Sequence, residues 1–376
     1  MNDLTPQKCR ALVGDQWAGR RVAVAMSGGV DSSVAAVILK RAGCDVIGFT
    51  MKLWNYADVG GDSARDGRCC TIEMFNNCRM VAGAHGFPHY TLDLTGRFEQ
   101  DVIGYFVEEY RQGRTPNPCI VCNSRVKWPA LWERVAPLGC EAIATGHYAI
   151  LDSDVDGTVR LHRAVDPDRD QTYFLWQVPN EFLRRTIFPL GTLHKSDVRA
   201  LAAAWNLPNA VTPESRDICF VADGNINRFM ADRGCPTTPG LVVDQSGREL
   251  GRHAGFESLT IGQRKGLGIA FGRPQYVTRI DPKDGTVVIG DDADLYHSKC
   301  RIRDANWLVP MPESLSDVSV KIRYLHEAAP ATLLSLANNT AVIEFESPQR
   351  AITPGQSAVA YQGDRLLGGG IIDSVE

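Results

Sequence analysis

Ser27, Gly28, Gly29, Val30, Asp31 and Ser32 stand in a row directly after a short apolar run. Two adjacent glycines let a backbone approach a ligand closely, and successive N–H groups at the start of a helix suit polyphosphate. No G-x-x-x-x-G-K-[ST] occurs anywhere in the chain, so the lysine that reaches terminal phosphates in P-loop hydrolases is missing and a different ATP chemistry is implied. The plain alternative is an ordinary βα turn rich in glycine.

The segment S-G-G-V-D-S after an N-terminal strand resembles the signature of the PP-loop, or N-type, ATP pyrophosphatases. That resemblance implies cleavage of ATP to AMP and pyrophosphate, with adenylation of a carbonyl oxygen and departure of adenylate when a nucleophile attacks the same carbon. It further implies that the turn holds the pyrophosphate half and that Asp31 helps to place Mg²⁺.

A second set of reactive residues is the cysteines. Residues 113–127 read G-R-T-P-N-P-C-I-V-C-N-S-R-V-K, a Pro-interrupted loop that leads into a helix and contains the pair Cys119 and Cys122. Cys122 sits near the helical start, where the positive end of the dipole lowers a thiol pKa. Cys219 lies far away in sequence, flanked by Arg216. Zinc would want four ligands, and the second C-x-x-C of a strong zinc signature is absent. A disulfide exchanger would use Cys119 and Cys122 alone, yet this pair lies far downstream of any first βαβ unit. A thiolate and persulfide pair of Cys122 and Cys219 suits the ATP chemistry best, because an adenylated carbonyl needs a sulfur nucleophile. Cys44, Cys78, Cys140, Cys235 and Cys300 read as buried, inert thiols.

These residues need elements to hold them. Arg21–Ala25 reads as a strand and Ser32–Ala42 as a helix, with the glycine turn between them. Val46–Leu53, His89–Leu94 and Glu141–Thr145 read as further strands, and Thr71–His85, Phe98–Arg111, Val126–Leu138 and Lys195–Trp205 as helices. Strands that alternate with helices make an α/β fold with a doubly wound parallel sheet, whose ligands sit outside the carboxyl ends of the strands. Past Trp205 the prolines 208, 213, 236 and 239 and a rise in glycine mark a boundary near residue 211. From about 295 short β-like runs dominate: Val318–Tyr324, Ala331–Leu336, Thr340–Glu346, Ser357–Gln362 and Leu366–Ile372. The expected domains are therefore a catalytic one over 1–211, a small central one over 212–294 that carries Cys219, and a C-terminal antiparallel β-barrel over 295–376.

A length of 376 residues exceeds one ordinary core, and 44% hydrophobic with 22% charged residues describes a globular protein. The opening residues do not read as a secretory signal, and no run of about 18 apolar residues suggests a membrane span. A cytoplasmic location without membrane association is expected, where the eleven cysteines act as thiolates, persulfides or metal ligands rather than as a disulfide framework. Net charge of −4 argues against coating nucleic acid along the whole surface. Locally, Arg248, Arg252, Arg264, Lys265, Arg273 and Arg279 face only Glu249 and Glu257, which makes a phosphate-facing patch or a solvated loop.

Taken together, the motifs resemble the bacterial and organellar tRNA-specific 2-thiouridylases from end to end. The matching segments are Ala25–Ser33, Gly113–Asn123, Ala144–Tyr148 (A-T-G-H-Y), Arg169–Leu175 (R-D-Q-T-Y-F-L), Asp217–Val221, Thr260–Gly268, Val320–Tyr324 and Thr353–Ala358 (T-P-G-Q-S-A). The resemblance implies thiolation of the wobble uridine of certain tRNAs at its C2 carbonyl, with tRNA and a persulfide donor protein as partners. Cys219 would receive the sulfur as a persulfide and Cys122 would be the partner nucleophile, leaving a transient Cys122–Cys219 disulfide. ATP would be surrounded by Ala25, Met26, Ser27, Gly28, Gly29, Val30, Asp31, Ser32, Met51 and Gly146. Asn117, Pro118 and Cys119 would touch the target base, and His147, Arg169, Asp170, Gln171, Arg323, Tyr324 and Gln356 the tRNA. Without the motifs, His147 reads equally as a satisfied core histidine and Arg169-Asp170 as a surface ion pair.

One departure stands out. Many members carry Asp where this chain has Cys119, so a carboxylate base toward the uridine is in doubt here. Cys119, Cys122 and Cys219 leave open a [4Fe-4S] cluster with one free iron site, as in related tRNA thiolases. Two other functions remain open on the residues alone. A small-molecule adenylating ligase of the same ATP class would need neither the C-x-x-C nor the β domain, and a non-catalytic RNA-binding protein would use ATP as a switch.

Overall fold

The computed structural model describes every residue except 1–3, 56–71, 154–157, 213–217, 222, 236, 270 and 271. Thr71, Pro213, Arg216, Asp217 and Pro236, named above, lie outside the described residues. Two units are distinguished: residues 1–102, 119–223 and 364–366 form the first, and residues 103–118, 224–363 and 367–376 the second. The boundary expected near 211 falls inside the first unit, which keeps Cys219 with the parallel sheet.

The first unit carries β1 (Arg21–Ala25), β2 (Asp45–Lys52), β3 (His89–Asp93), β4 (Ala142–Thr145), β5 (Ile150–Ser153), β6 (Val159–His162) and β7 (Thr186–Ile187). Five of these form one sheet in the order β3-β2-β1-β4-β7, with every neighbouring pair parallel. The strand sequences account for this. Val22, Ala23 and Val24 of β1 are all buried, as a strand covered on both faces requires an unbroken apolar run rather than alternation. The Val30–Arg41 helix is buried continuously from Val34 to Leu39 and packs between the sheet and the Pro6–Val13 and Lys195–Ala204 helices. The chain moves from β1 outward to β3 and then returns to β4 on the other side of β1. The topological switch point therefore lies between β1 and β4.

Helix positions differ from the expected ones in two instructive places. The helix expected from Ser32 starts at Val30, inside the glycine signature. The helix expected from Val126 is preceded by helical residues Pro118–Val121 and a π-turn over Cys122–Lys127. Asn123 Nδ2 donates to Phe174 O at 2.8 Å and Ser124 Oγ to Gln177 Oε1 at 2.9 Å. Tertiary bonds thus engage the widened turn, a form that local propensity does not predict.

In the second unit, β8 (Gly240–Val243), β9 (Glu249–His253), β10 (Tyr276–Asp281) and β11 (Thr286–Gly290) form a four-stranded sheet ordered β10-β11-β8-β9. No strands were expected in this Gly-rich stretch, because each is short and its apolar signal rests on a few residues such as Val242, Val277, Val287 and Ile289. The expected antiparallel barrel is present: β12 (Tyr296–Trp307), β13 (Ser314–Lys321), β14 (Ala329–Leu336), β15 (Thr340–Arg350), β16 (Ser357–Gln362) and β17 (Arg365–Val375). They run in the order β12-β15-β14-β13-β16-β17, and β12 pairs with β17 to close the ring over Ile302, Val320, Leu333, Ile343 and Ile372. Glu109, 5% exposed, accepts from Arg303 Nη2 at 2.7 Å, which fastens the Gly104–Arg111 helix to β12 with a paired rather than an isolated buried charge.

Candidate functional site

β1 ends at Ala25, and Met26 to Gly29 carry the chain into the Val30–Arg41 helix. Gly28 has φ +80, and a Cβ there would lie 2.6 Å from Met74 Cβ and 2.7 Å from Met74 O, so glycine is required on both counts. Gly29 caps the helix in an extended conformation without a side-chain cap. The first-turn N–H groups are thus left to a ligand instead of a Ser or Asp cap. Ser32 Oγ closes the turn on itself, accepting from Ser27 N at 3.1 Å and donating to Gly29 O at 3.1 Å.

Asp31 does not face the turn alone. Lys195 Nζ donates to both of its oxygens at 2.7 Å, and Tyr148 Oη donates to Oδ1 at 3.0 Å. Lys195 is 7% exposed, so its ammonium depends on this partner to offset desolvation. Its backbone N–H donates to Asp166 Oδ2 at 2.9 Å, which fixes the start of the Lys195–Ala204 helix. By sequence alone Lys195 is legible only as the beginning of a helix. A signal was available, since a lysine in the first turn opposes the helix dipole and such local conflicts gather at functional sites.

β4 delivers Gly146 to the same place. A Cβ on Gly146 would fall 2.6 Å from Ser32 N and 2.8 Å from Asp31 C, so the turn after β4 presses directly on the helix start. Gly146→Ala is expected to raise the KM for ATP by about tenfold without weakening tRNA binding, as read from pyrophosphate-release rates and a tRNA titration. An unchanged KM would show that the turn yields. Met51 lies half-buried in β2, its backbone in register with Leu92.

The cysteines differ in exposure: Cys119 is exposed, Cys122 is buried and Cys219 is half-buried. Both Cys122 and Cys219 are tied to the Thr95–Phe98 helix. That helix packs against the Cys122–Lys127 turn, and Phe98 meets Phe220, next to Cys219, edge-on with centroids 5.6 Å apart. Phe98 also packs on Trp54, just past the end of β2. The far end of the Cys122 turn is held at the opposite side of the sheet, where Trp128 Nε1 donates to Thr186 Oγ1 of β7 at 2.7 Å. The Thr95–Phe98 helix follows the carboxyl end of β3, at the same edge of the sheet as the glycine turn. Among the described residues no three His, Cys, Asp or Glu side chains group as metal ligands. The arrangement of Cys119, Cys122 and Cys219 therefore gives no support to the [4Fe-4S] reading. Burial pushes the thiols of Cys44 and Cys140 up to about 11 and that of Cys300 to about 12, consistent with inert roles.

His147 follows Gly146, its Nδ1 2.7 Å from Thr145 Oγ1 and its ring beside Trp128. Burial, with a smaller push from Lys127, holds the imidazole well below 6.5, so it is neutral in the folded protein at neutral pH. The unfolded chain takes up the proton first on acidification. Stability from neutral His147 is complete above the unfolded value and is lost progressively as pH falls from there toward the lower folded value. His147→Gln is expected to flatten the decline of Tm from about pH 7.5 to 5.5, measured by calorimetry; an identical decline in both proteins rejects the assignment.

Asp170 is 6% exposed, and its carboxylate accepts from Ala164 N, Thr172 N and Thr172 Oγ1, so it shapes its loop from within rather than pairing at the surface. Gln171 brackets Tyr148, accepting from its N–H and donating to its carbonyl at 3.0 Å each. This links the R-D-Q-T-Y-F-L motif to Asp31 through Tyr148. Arg169 is half-buried in the same loop.

In the second unit, Gln356 Nε2 donates to Thr115 O at 2.8 Å, and Thr115 N donates to Pro354 O at 2.9 Å. The T-P-G-Q-S-A motif thereby supports the loop that carries Asn117 and Pro118. Arg323 Nη2 donates to Arg350 O at 3.0 Å, and Lys321 Nζ stands 5.7 Å from the Tyr324 ring centroid. All six cations of the Arg248–Arg279 stretch are exposed, and Arg248 and Arg273 are paired with Asp244 and Asp291.

Three family models match the chain: a tRNA methyl transferase HUP domain over residues 20–223, a tRNA methyl transferase PRC-barrel domain over 227–291 and an aminomethyltransferase beta-barrel domain over 297–372. The tRNA-specific 2-thiouridylase MnmA of Geotalea uraniireducens is 43% identical over 94% of this chain and 95% of its own length. The enzyme of the same name from Salinibacter ruber is 44% identical, with 94% of each chain covered. Among solved structures, a 4-thiouridine synthetase–RNA complex with bound ATP aligns at a TM-score of 0.31 and 14% identity, over 57% of this chain and 50% of that one. No helix among the described residues is long and apolar enough to cross a membrane.

Proposed function

The chain belongs to the tRNA-specific 2-thiouridylase family, and from that premise we propose how its residues carry out ATP-dependent 2-thiolation of tRNA. The observation that carries the reading is the uncapped helix start after β1, pressed by Gly146 at the switch point of a parallel sheet. That arrangement suits the pyrophosphate half of ATP.

The uridine C2 oxygen attacks the α-phosphorus of ATP and pyrophosphate leaves. The helix N-terminus stabilises the departing charge, and Lys195 adds a cation beside it. Mg²⁺, when bound, would neutralise part of the triphosphate charge, and Asp31 is the carboxylate of the turn that would hold it. Cys219 carries a persulfide taken from a donor protein. Cys122 thiolate attacks the Cys219 sulfur, a Cys122–Cys219 disulfide forms, and hydrosulfide is released. Hydrosulfide adds to C2, AMP departs, and the 2-thiocarbonyl remains; an external thiol then reduces the disulfide. Asn117, Pro118 and Cys119 border the base, while His147, Arg169, Gln171, Arg323, Tyr324 and Gln356 contact the tRNA. The wobble uridine is the target, flipped from its stack as base-modifying enzymes require.

Incubation of the purified chain with tRNA, ATP and a persulfide donor, followed by nucleoside mass analysis, tests the reading. Gain of sulfur in place of oxygen on uridine is expected. Pyrophosphate release that tRNA fails to stimulate would instead favour a small-molecule ligase.

A further inference from the structure

Asn209 is fully buried behind the glycine turn. Its Nδ2 donates to Gly28 O at 2.7 Å and lies 2.8 Å from Ser33 Oγ. A backbone carbonyl can only accept, so Gly28 O fixes which end of the amide faces the turn. Oδ1 is left without a donor among the described residues. A buried amide with one unsatisfied end is a net liability unless the satisfied end has a task.

The task follows from peptide geometry. In a trans peptide the C=O and the next N–H point in opposite directions. Drawing Gly28 O inward to Asn209 therefore turns Gly29 N–H outward, where it donates to Ser27 Oγ at 3.4 Å on the exposed side of the turn. The peptide has glycine on both sides, Gly28 with φ +80 and Gly29 with φ −77, so no side chain of its own resists a half-turn.

We propose that Asn209 is a positioning residue for the pyrophosphate half of ATP, one that locks the Gly28–Gly29 peptide with its N–H facing the leaving group. The proposal rests on the glycine turn being the nucleotide site. It adds a residue 181 positions away in sequence from the turn it sets.

Asn209→Asp tests this because the side chain keeps its shape while the donor is exchanged for an acceptor. An ionised carboxylate repels Gly28 O and releases the peptide. A protonated one regains an O–H donor, and burial raises the pKa of such a group. Titration calorimetry with magnesium pyrophosphate is expected to give a Kd ratio, variant to unsubstituted chain, of about tenfold or more near pH 8 that shrinks toward one near pH 6. tRNA affinity, measured alongside, should stay close to that of the unsubstituted chain, while Tm should fall between pH 6 and pH 8, as a buried group that must ionise requires. A ratio near one at both pH values overturns the proposal, and so does a ratio that is large but independent of pH. Failure of the unsubstituted chain to bind pyrophosphate or ATP would overturn the nucleotide-site reading itself, and the proposal with it. If Asn209→Asp does not fold, Asn209→Ala removes the donor without adding charge. Pyrophosphate binding within about twofold of the unsubstituted chain would then overturn the assignment.

Discussion

Cys219→Ser is expected to abolish sulfur incorporation, by about 1000-fold or more, while tRNA-stimulated pyrophosphate release continues. A serine oxygen cannot be loaded as a persulfide, so no sulfur–sulfur bond exists for Cys122 to attack. Adenylation, as proposed, uses the glycine turn, Gly146 and Lys195 and does not require the thiol. The substitution is nearly isosteric, and the neighbouring Phe220 remains anchored on Phe98, so the fold should be unaffected. Cys122→Ser separates the two thiols further: it should still accept a persulfide on Cys219 but fail to release it, which intact-protein mass analysis would read as trapped added sulfur. Full thiolation by Cys219→Ser would sink the persulfide assignment.

Lys195→Met should be nearly as damaging at the other half-reaction. Methionine approximates the length of the lysine stem but removes the charge that contacts both oxygens of Asp31 at 2.7 Å. Removing the lysine leaves Asp31, whose side chain is 29% exposed, without its cation, although water screens part of that loss. The positive field at the departing pyrophosphate falls as well. A loss of about 100- to 10,000-fold in kcat/KM for ATP is expected, measured as AMP formed in single-turnover reactions with saturating tRNA. Lys195→Arg should recover only part, since a planar guanidinium must fit where a compact ammonium is 7% exposed. A Lys195→Met enzyme within about fivefold of the unsubstituted rate would mean that the ion pair only supports the fold.

Gly28, Asn209, Lys195 and Cys219 show how differently parts of this site are written in the chain. The glycine signature was legible because its demands are local: a left-handed residue, a close approach and a helix start are each imposed within a few positions. The parallel sheet was legible for a related reason. Val22–Val24 and Val34–Leu39 are continuous apolar runs, and such runs belong to elements covered on both sides. The barrel strands β13 to β17 likewise announced themselves by alternating runs between turns.

What stayed hidden was set by pairings between distant elements. Lys195 reaches Asp31 across 164 positions, and Asn209 reaches Gly28 across 181. Neither contact has a periodicity or spacing to read. The π-turn at Cys122 is engaged by bonds from Asn123 and Ser124 to residues 174 and 177. The β8–β11 sheet is built from strands of four to six residues broken by glycine, too short to carry a pattern until paired. By itself, then, the sequence determined the glycine turn at the start of a helix, the α/β core and the barrel, because backbone conformation and burial pattern are local properties. Only the tertiary structure decided which charge Asp31 meets, which amide aims the Gly28–Gly29 peptide and that both thiols share the Thr95–Phe98 helix, because those depend on where remote segments come to rest against one another.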